Sequence, residues 1–228
     1  MSKGNTYENE LLLHVFQNAA LALIGDAGGL QPSAAAGNLY TALHTADPGE
    51  GGNQASSEAA YTNYARQAIV RSASGFTVSG NQVSNAAAIN FPQCGLTGAD
   101  ITHWSIGTAL SGTGKILHKA PLGSALQGAF TAKADDTITI PGHTLSVNDR
   151  VSFYPFPGAT LPTGITEGTI YWVKTVSGND ITISTTQGGA AVDITAAGNG
   201  LAIKSAVLSV TNGITPSFGI GALVITED

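Results

Sequence analysis

Apolar residues at every second position, in short runs separated by turn residues, are the feature that most limits how this chain folds. The clearest run has Val83, Asn85, Ala87, Ile89 and Phe91 on one side and small or polar residues between them. A period of two places alternate side chains on opposite faces of a strand, so the run predicts a strand with one buried face. The chain also has 29 Gly and 9 Pro, which suit tight turns. The pattern therefore predicts an all-β fold built from short strands.

Two hairpins are expected within this β pattern. Residues 76–78 and 83–85 flank a turn at 79–82, and residues 101–108 and 115–119 flank a Gly-rich turn at 111–114. Further host strands are expected at residues 38–47, 64–70, 208–210 and 223–225. Short strands at this spacing favour a jelly-roll-like β-sandwich.

One segment, residues 6–24, has the period of a helix. Its apolar stripe consists of Leu12, Phe16, Ala19 or Ala20, and Leu23. Asn5 and Glu8 fit a capping box, and Gly25 fits the position after the last turn. We expect the helix to lie against the domain or a neighbouring subunit, and residues 1–25 to act as a clamping or swapped arm.

The composition changes twice further along the chain. Residues 45–60 contain no β-branched apolar residue, which predicts an exposed, acidic, mobile loop. Residues 128–204 have aromatic residues of their own and strand patterns at 137–140, 150–154, 169–173, 180–183 and 192–194. We therefore divide the chain into an N-terminal helix or arm (1–25), a β-sandwich host domain (26–127 and 205–228) and an inserted small β-barrel-like module (128–204).

The charge balance argues against nucleic-acid and membrane partners. The formal net charge is -6 with 9 Lys and Arg, which leaves no basic stripe for a phosphate backbone. No segment is apolar for the length that a bilayer requires, and no secretory signal is evident. The single cysteine, Cys94, is interpreted as a buried apolar residue. We expect a protein made in the bacterial cytoplasm.

The motifs give no catalytic, cofactor-binding or metal residue to assign, and no cofactor is expected. The run from Gly112 to Lys115 is interpreted as a hairpin turn, because the first glycine of a phosphate-binding loop would fall on Ala109. Asp135 and Asp136 are adjacent, so on a strand they would point to opposite faces and cannot form a catalytic carboxylate pair.

Histidine and tryptophan residues are the remaining candidates for binding. His103 and His118 are placed to face each other across the second hairpin, a pair more typical of a cross-strand contact than of a metal site. Trp104 and Trp172 are interpreted as core residues, with sugar stacking on Trp172 as the alternative. Calcium binding in the insert is left open, although no loop has EF-hand spacing.

Eight separated segments resemble a family of tailed-bacteriophage structural proteins, described as tail-fibre-like or as capsid decoration (cement) proteins. They are residues 5–12, 39–48, 57–66, 87–92, 101–104, 112–115, 209–216 and 225–228. The resemblance covers residues 5–127 and 205–228, whereas residues 128–204 resemble small β modules inserted in phage virion proteins. It implies a non-enzymatic, jelly-roll-like, oligomeric virion protein.

Two functional hypotheses follow from the resemblance together with the acidic balance and a charged content of 11%. The first is a decoration protein on the capsid exterior that binds the major capsid protein, bridges its neighbouring copies and forms a homodimer or homotrimer. The alternative is a tail-fibre or tail-spike protein whose inserted module contacts a host surface receptor.

Overall fold

A computed structural model describes residues 3–123 and 125–227. Within them the chain forms one helix, α1 (Asn5–Gln17), and strands that all pair antiparallel. The strands outside the insert are β1 (Asn38–His44), β2 (Gln67–Val70), β3 (Phe76–Ser79), β4 (Gln82–Asn85), β5 (Ile89–Asn90), β6 (Ala99–Ile101), β7 (His103–Gly107), β8 (Ile116–Pro121), β15 (Leu208–Val210), β16 (Ser217–Phe218) and β17 (Val224–Thr226). The strands of the insert are β9 (Ala125–Ala132), β10 (Ile138–Thr139), β11 (Arg150–Tyr154), β12 (Tyr171–Ser177), β13 (Asp180–Ser184) and β14 (Gly198–Ser205).

The host strands form one larger sheet and three small ones. The larger sheet has the order β2-β1-β7-β8, and the others are β17-β4-β3, β15-β6 and β16-β5. Both predicted hairpins are confirmed, since β3 pairs with β4 and β7 pairs with β8. The long alternation at residues 83–91 is interrupted between β4 and β5, where Ala87 is exposed although Val83, Asn85, Ile89 and Phe91 are buried.

The insert is a closed six-stranded barrel with the order β10-β13-β12-β11-β14-β9. The all-β class with a small barrel module is therefore confirmed. Sequence patterns did not show β9 and β14, because these strands contain Gly and Ala where alternation would need large apolar residues. The strand expected at residues 192–194 is wrong: this segment is irregular, although Ile194 is buried and the Val192 amide donates to the Ile183 carbonyl oxygen.

The two groups of strands surround two separate apolar cores. The host core contains Leu12 and Phe16 from α1, and Phe16 meets Phe76 edge-on with ring centroids 5.0 Å apart. The barrel core is centred on Phe130 and Phe153, whose centroids are 4.9 Å apart. Cys94 is buried in the host core, as predicted.

The helix is shorter than predicted and is part of the host core. It begins after Gly4, so Asn5 is not its cap, and no side chain caps this end. It ends at Gln17 because Asn18 adopts the left-handed conformation and the Ala19 amide donates to the Leu13 carbonyl oxygen. Gly25 lies well beyond this end. Leu12 and Phe16 of α1 are buried in the core of their own chain, and the role of residues 1–25 as a clamping or swapped arm stays a prediction.

The segment at residues 45–60 is anchored, in contrast to the mobile loop predicted. Gln54 is fully buried, and its side chain donates to the Tyr40 carbonyl oxygen and accepts from the Ala109 amide. These contacts fix the segment between β1 of the large sheet and the β7–β8 turn. Sequence composition could not show this, because a glutamine in a polar segment normally faces solvent.

A buried arginine connects this segment to the same turn. Arg66 binds both carboxylate oxygens of Glu58, at 2.6 and 2.8 Å, and donates to the carbonyl oxygens of Ala109 and Gly112. The Tyr64 hydroxyl also donates to Glu58. A two-pronged pair of this kind fixes direction as well as distance, because the guanidinium and the carboxylate are both planar.

Among the described residues, no helix is both long and apolar enough to cross a bilayer.

Replacing Arg66 by Ala is expected to lower the free energy of unfolding by about 3 kcal/mol, because it removes the cation that pairs with the Glu58 carboxylate and the donor to two carbonyl groups. Urea unfolding followed by fluorescence measures the loss. Lys133→Ala, at an exposed position, is the matched control and should change stability by less than about 0.5 kcal/mol. A loss for Arg66→Ala no larger than that of the control would contradict the anchoring role.

We propose that the barrel is an autonomous insertion in the host domain. Joining residue 123 to residue 206 through a short Gly-Ser turn is expected to leave a folded host domain, because the Ala206 amide already donates to the Leu122 carbonyl oxygen at 2.8 Å. Circular dichroism and thermal unfolding of this deletion variant should show one cooperative transition. An unfolded or aggregated deletion variant would contradict the division into host and insert.

Candidate functional site

The barrel joins the host domain through two adjacent chain segments. The segment entering the barrel is held to the host, since the Leu122 amide donates to the Thr102 carbonyl oxygen at 2.8 Å. The segment leaving the barrel is hydrogen-bonded to the first through Ala206 and Leu122. Entry and exit therefore lie side by side at the end of the large sheet where β7 begins.

Asp47, three residues after β1, makes a second contact between host and barrel. Its carboxylate accepts hydrogen bonds from the Gly49 amide at 2.8 Å and from the Lys119 ammonium at 2.9 Å. On the barrel side Gly168 lies directly against the carboxylate, where any side chain would collide with it. Gly168 also has a φ of +67°, so both its conformation and its closeness to Asp47 require glycine.

The Asp47–Lys119 pair is ionic at neutral pH. Burial would raise the pKa of Asp47, but the hydrogen bonds from Gly49 and Lys119 outweigh it and the pKa is lowered. Burial would lower the pKa of Lys119, but the hydrogen bonds to Asp47 and Glu50 outweigh it and the pKa is raised. The junction thus contains a fixed, half-buried ion pair.

A cleft of about 590 Å³ lies between the host domain and the barrel. The host contributes the end of β1, Asp100 and the residues around His103, and the barrel contributes Arg150, the loop at residues 166–170 and Trp172. A volume of this size at the junction of two folded units is typical of a ligand-binding site.

Trp172 is the aromatic residue of the cleft. Its neighbours on β12, Tyr171 and Val173, are buried in the barrel core, so Trp172 points outwards. The interpretation of Trp172 as a core residue is therefore wrong, whereas Trp104 does lie in the host core. Alternation along β12 predicts that Tyr171 and Trp172 lie on opposite faces. Because both residues are aromatic, the sequence does not show which of them faces the barrel core.

Arg150 fixes the position of the indole ring. Arg150 and Trp172 are directly opposite in the β11–β12 ladder, and the guanidinium carbon lies 4.2 Å from the ring centroid. A cation at this distance over an aromatic face is attracted by the ring electrons. The pair therefore holds the ring at the border of the cleft without using the hydrogen-bond donors of Arg150.

The polar groups of the cleft include donors and acceptors. Within residues 3–123 and 125–227, neither the Arg150 guanidinium nor the Glu167 carboxylate has a hydrogen-bond partner; the guanidinium lies over the Trp172 ring, and Glu167 is exposed. Asp100, on β6, accepts a hydrogen bond from the Ser209 hydroxyl. A ligand with several hydroxyl groups would find groups of both kinds here.

The histidines are arranged differently from the sequence expectation. His103 lies opposite Pro121 and His118 lies opposite Ile106, so these two histidines do not face each other across the β7–β8 hairpin. His103 is instead opposite His44 in the β1–β7 ladder. The observed register pairs His103 with Pro121, three positions beyond His118.

Both members of this neighbouring pair are buried. His44 donates from Nδ1 to the Ser56 carbonyl oxygen and accepts at Nε2 from the Ser105 hydroxyl. His103 contacts the Thr102 hydroxyl through Nδ1, at 2.9 Å, while its buried Nε2 has no partner among the described residues. Burial lowers the pKa of both side chains, that of His103 from 6.5 to about 4.

The remaining motifs occupy structural positions. The run from Gly112 to Lys115 is the β7–β8 turn, as predicted, and its Gly112 carbonyl oxygen accepts from Arg66. Asp135 and Asp136 lie in a turn, where their carboxylates accept from the Thr137 and Ile194 amides. In the described part of the chain, no three His, Cys, Asp or Glu side chains are grouped as a metal site.

Comparison with known families places this all-β chain among the structural proteins of bacteriophage virions. The matching family model is Gp80, described as podophage GP4 fiber I protein gp80, and it matches residues 2–148. The match covers more than half of the chain, so the protein belongs to this family. No curated protein matches it.

Family membership confirms the resemblance at the level of a phage structural protein, and the family's description names a fibre component. The match includes the host segments up to β8 and the first two barrel strands. It ends before β11, so Arg150, Glu167 and Trp172 lie outside it.

Lowering the pH from about 6.5 to 4 is expected to destabilise the protein through His103. The unfolded chain binds a proton at the ordinary histidine pKa of 6.5, whereas the folded protein binds it only near about 4. One such group costs about 3 kcal/mol of stability by pH 4. Urea unfolding at several pH values should show a smaller loss for His103→Gln than for the natural protein.

The difference between the two proteins near pH 8 measures the packing cost of the substitution, and only the slope below pH 6.5 reports on titration. Asp47, Lys119 and His44 are the charged or titratable groups that influence His103, and all three are retained in the variant. If the free energy of unfolding fell equally with pH in the two proteins, the assignment of this loss to His103 would be contradicted.

Proposed function

We propose that this protein is a structural component of a bacteriophage tail fibre, and that its barrel and junction cleft face the host surface. The observation that carries the proposal is membership in a family described as a fiber protein. The separate barrel core and the polar cleft beside it supply a surface for recognition. The partner of this surface is a receptor on the bacterial cell.

The position of the cleft residues supports recognition by the barrel side. The family model matches the host domain through β8, and the barrel residues that border the cleft follow its end. The host domain supplies Asp47, which orients the barrel loop through Gly168. In this arrangement the family model covers the host strands through β8 and the first two barrel strands, and the later barrel strands supply the proposed binding surface.

The proposed role is structural and binding, without catalysis. The adjacent carboxylates of Asp135 and Asp136 are engaged by backbone amides, and Asp47 is engaged by Lys119. Each of these groups stabilises a turn or the junction. The chain contributes binding geometry, which is what a fibre subunit requires.

Self-association is part of the proposal, because a fibre is assembled from repeated copies. Several large apolar side chains outside the barrel are exposed, among them Leu23 at 79%, Leu96 at 89% and Ile220 at 74%. Contact between copies through such residues would remove apolar area from water. A homotrimer or homodimer is the expected unit.

Capsid decoration, our first hypothesis from sequence, becomes the second candidate. It is supported by the net charge of -6 and the low charged content. Both properties suit a protein on the outside of the virion, whether on the capsid or on a tail fibre. In that role the protein would bind the major capsid protein and stabilise the assembled shell by binding only that state. The family description favours the fibre.

The fibre proposal predicts few copies of the protein per virion relative to the major capsid protein. Quantitative mass spectrometry of purified virions measures this ratio. Purified protein added to host cells is also expected to slow adsorption of the phage, while the variant with residue 123 joined to residue 206 should not. A copy number comparable with that of the major capsid protein, together with unchanged adsorption, would favour decoration.

A further inference from the structure

We propose that the junction cleft binds an uncharged saccharide through Trp172. This inference deepens the proposed function, since it assigns a chemical class to the receptor. It follows from the juxtaposition of an oriented indole ring with unpaired hydrogen-bonding groups in one cleft.

Trp172 supplies an aromatic surface in the cleft. The C–H groups of a sugar ring form an apolar face that packs against the face of an aromatic ring, while its hydroxyl groups stay at the rim. Trp172 borders the cleft, and because the Arg150 guanidinium lies over one face of the ring, the sugar would pack against the opposite face. Because the ring is already oriented, less conformational freedom is lost when a ligand binds.

The cleft also contains polar groups that can bind hydroxyl groups. A saccharide hydroxyl donates and accepts, so it is best bound where both kinds of partner are unoccupied. The Arg150 guanidinium supplies donors and the Glu167 carboxylate supplies acceptors, and neither has a hydrogen-bond partner among the described residues. Thr166 and Thr169 add hydroxyl groups from the same barrel loop.

The charges of the cleft select against anionic sugars. Asp47 is neutralised by Lys119, which leaves the carboxylates of Asp100 and Glu167 against the single guanidinium of Arg150. A sialic or uronic acid carboxylate would add like charge to this surface. An uncharged hexose or N-acetylhexosamine is therefore the ligand class that fits.

The test uses the full-length protein and an array of immobilised oligosaccharides, each ending in an uncharged hexose or N-acetylhexosamine or in its sialylated counterpart. We expect binding to at least one uncharged saccharide. Trp172→Ala is expected to weaken that binding about tenfold or more, in the range of a central aromatic anchor. Leu126→Ala removes another exposed apolar side chain of the barrel and should bind as the natural protein does.

A second variant tests the preference for uncharged over anionic saccharides. Glu167→Gln keeps the shape of the side chain and is expected to raise the binding of the sialylated saccharide relative to the uncharged one, whereas Asp193→Asn, at another exposed barrel carboxylate, should not. Titration of the soluble saccharide, followed by tryptophan fluorescence, gives a second readout. Trp104 is buried in the host core, so a change that is lost in Trp172→Ala reports on the cleft.

Failure of this inference is distinguishable from failure of the fibre proposal. Absence of binding to every uncharged saccharide, or unchanged binding by correctly folded Trp172→Ala, would overturn the saccharide site even if the purified protein still blocks adsorption. Saccharide binding that depends on Trp172 would support the site even if virion composition favoured capsid decoration.

Discussion

The pairing of β1 with β2 on one side and β7 on the other is the interaction on which the host domain depends. This ladder buries Leu39, Ala42 and Leu43 in the sheet and places His44 beside His103. The chain that leaves β1 then reaches Asp47 after three residues, so the register of one central strand determines where the junction with the barrel lies. A shift of one residue would reverse the faces of β1 and remove both the core contacts and the carboxylate that meets Gly168.

The barrel is positioned by its two linkers and by a polar contact with the host domain. The linkers are hydrogen-bonded to each other at one end of the large sheet, where the Asp47 carboxylate, paired with Lys119 of the host domain, lies against Gly168 of the barrel. The cleft lies at this end, between two units whose cores are separate. Its walls therefore consist of loop residues and outward-facing strand residues, which are free to serve recognition because the cores do not need them. The proposed roles in fibre structure and saccharide binding both use this division.

The sequence predicted the features that depend on local periodicity and turn chemistry. Both hairpins, the barrel module and the core positions of Trp104 and Cys94 follow from alternation and residue type. The features it missed depend on contacts between distant residues. Buried Gln54 anchors a segment that composition alone assigns to solvent, and the pairing of β1 with β7 determines which histidines are neighbours. The position of Trp172 in the cleft required knowledge of which face of β12 fills the barrel.

The most direct test of the central claim is a cryo-electron microscopy reconstruction of the virion with the protein labelled by a bound antibody fragment. The account predicts density for the label on fibres at the tail, with the barrels turned away from the particle and towards the cell. Label distributed over the capsid surface and absent from the tail would contradict it.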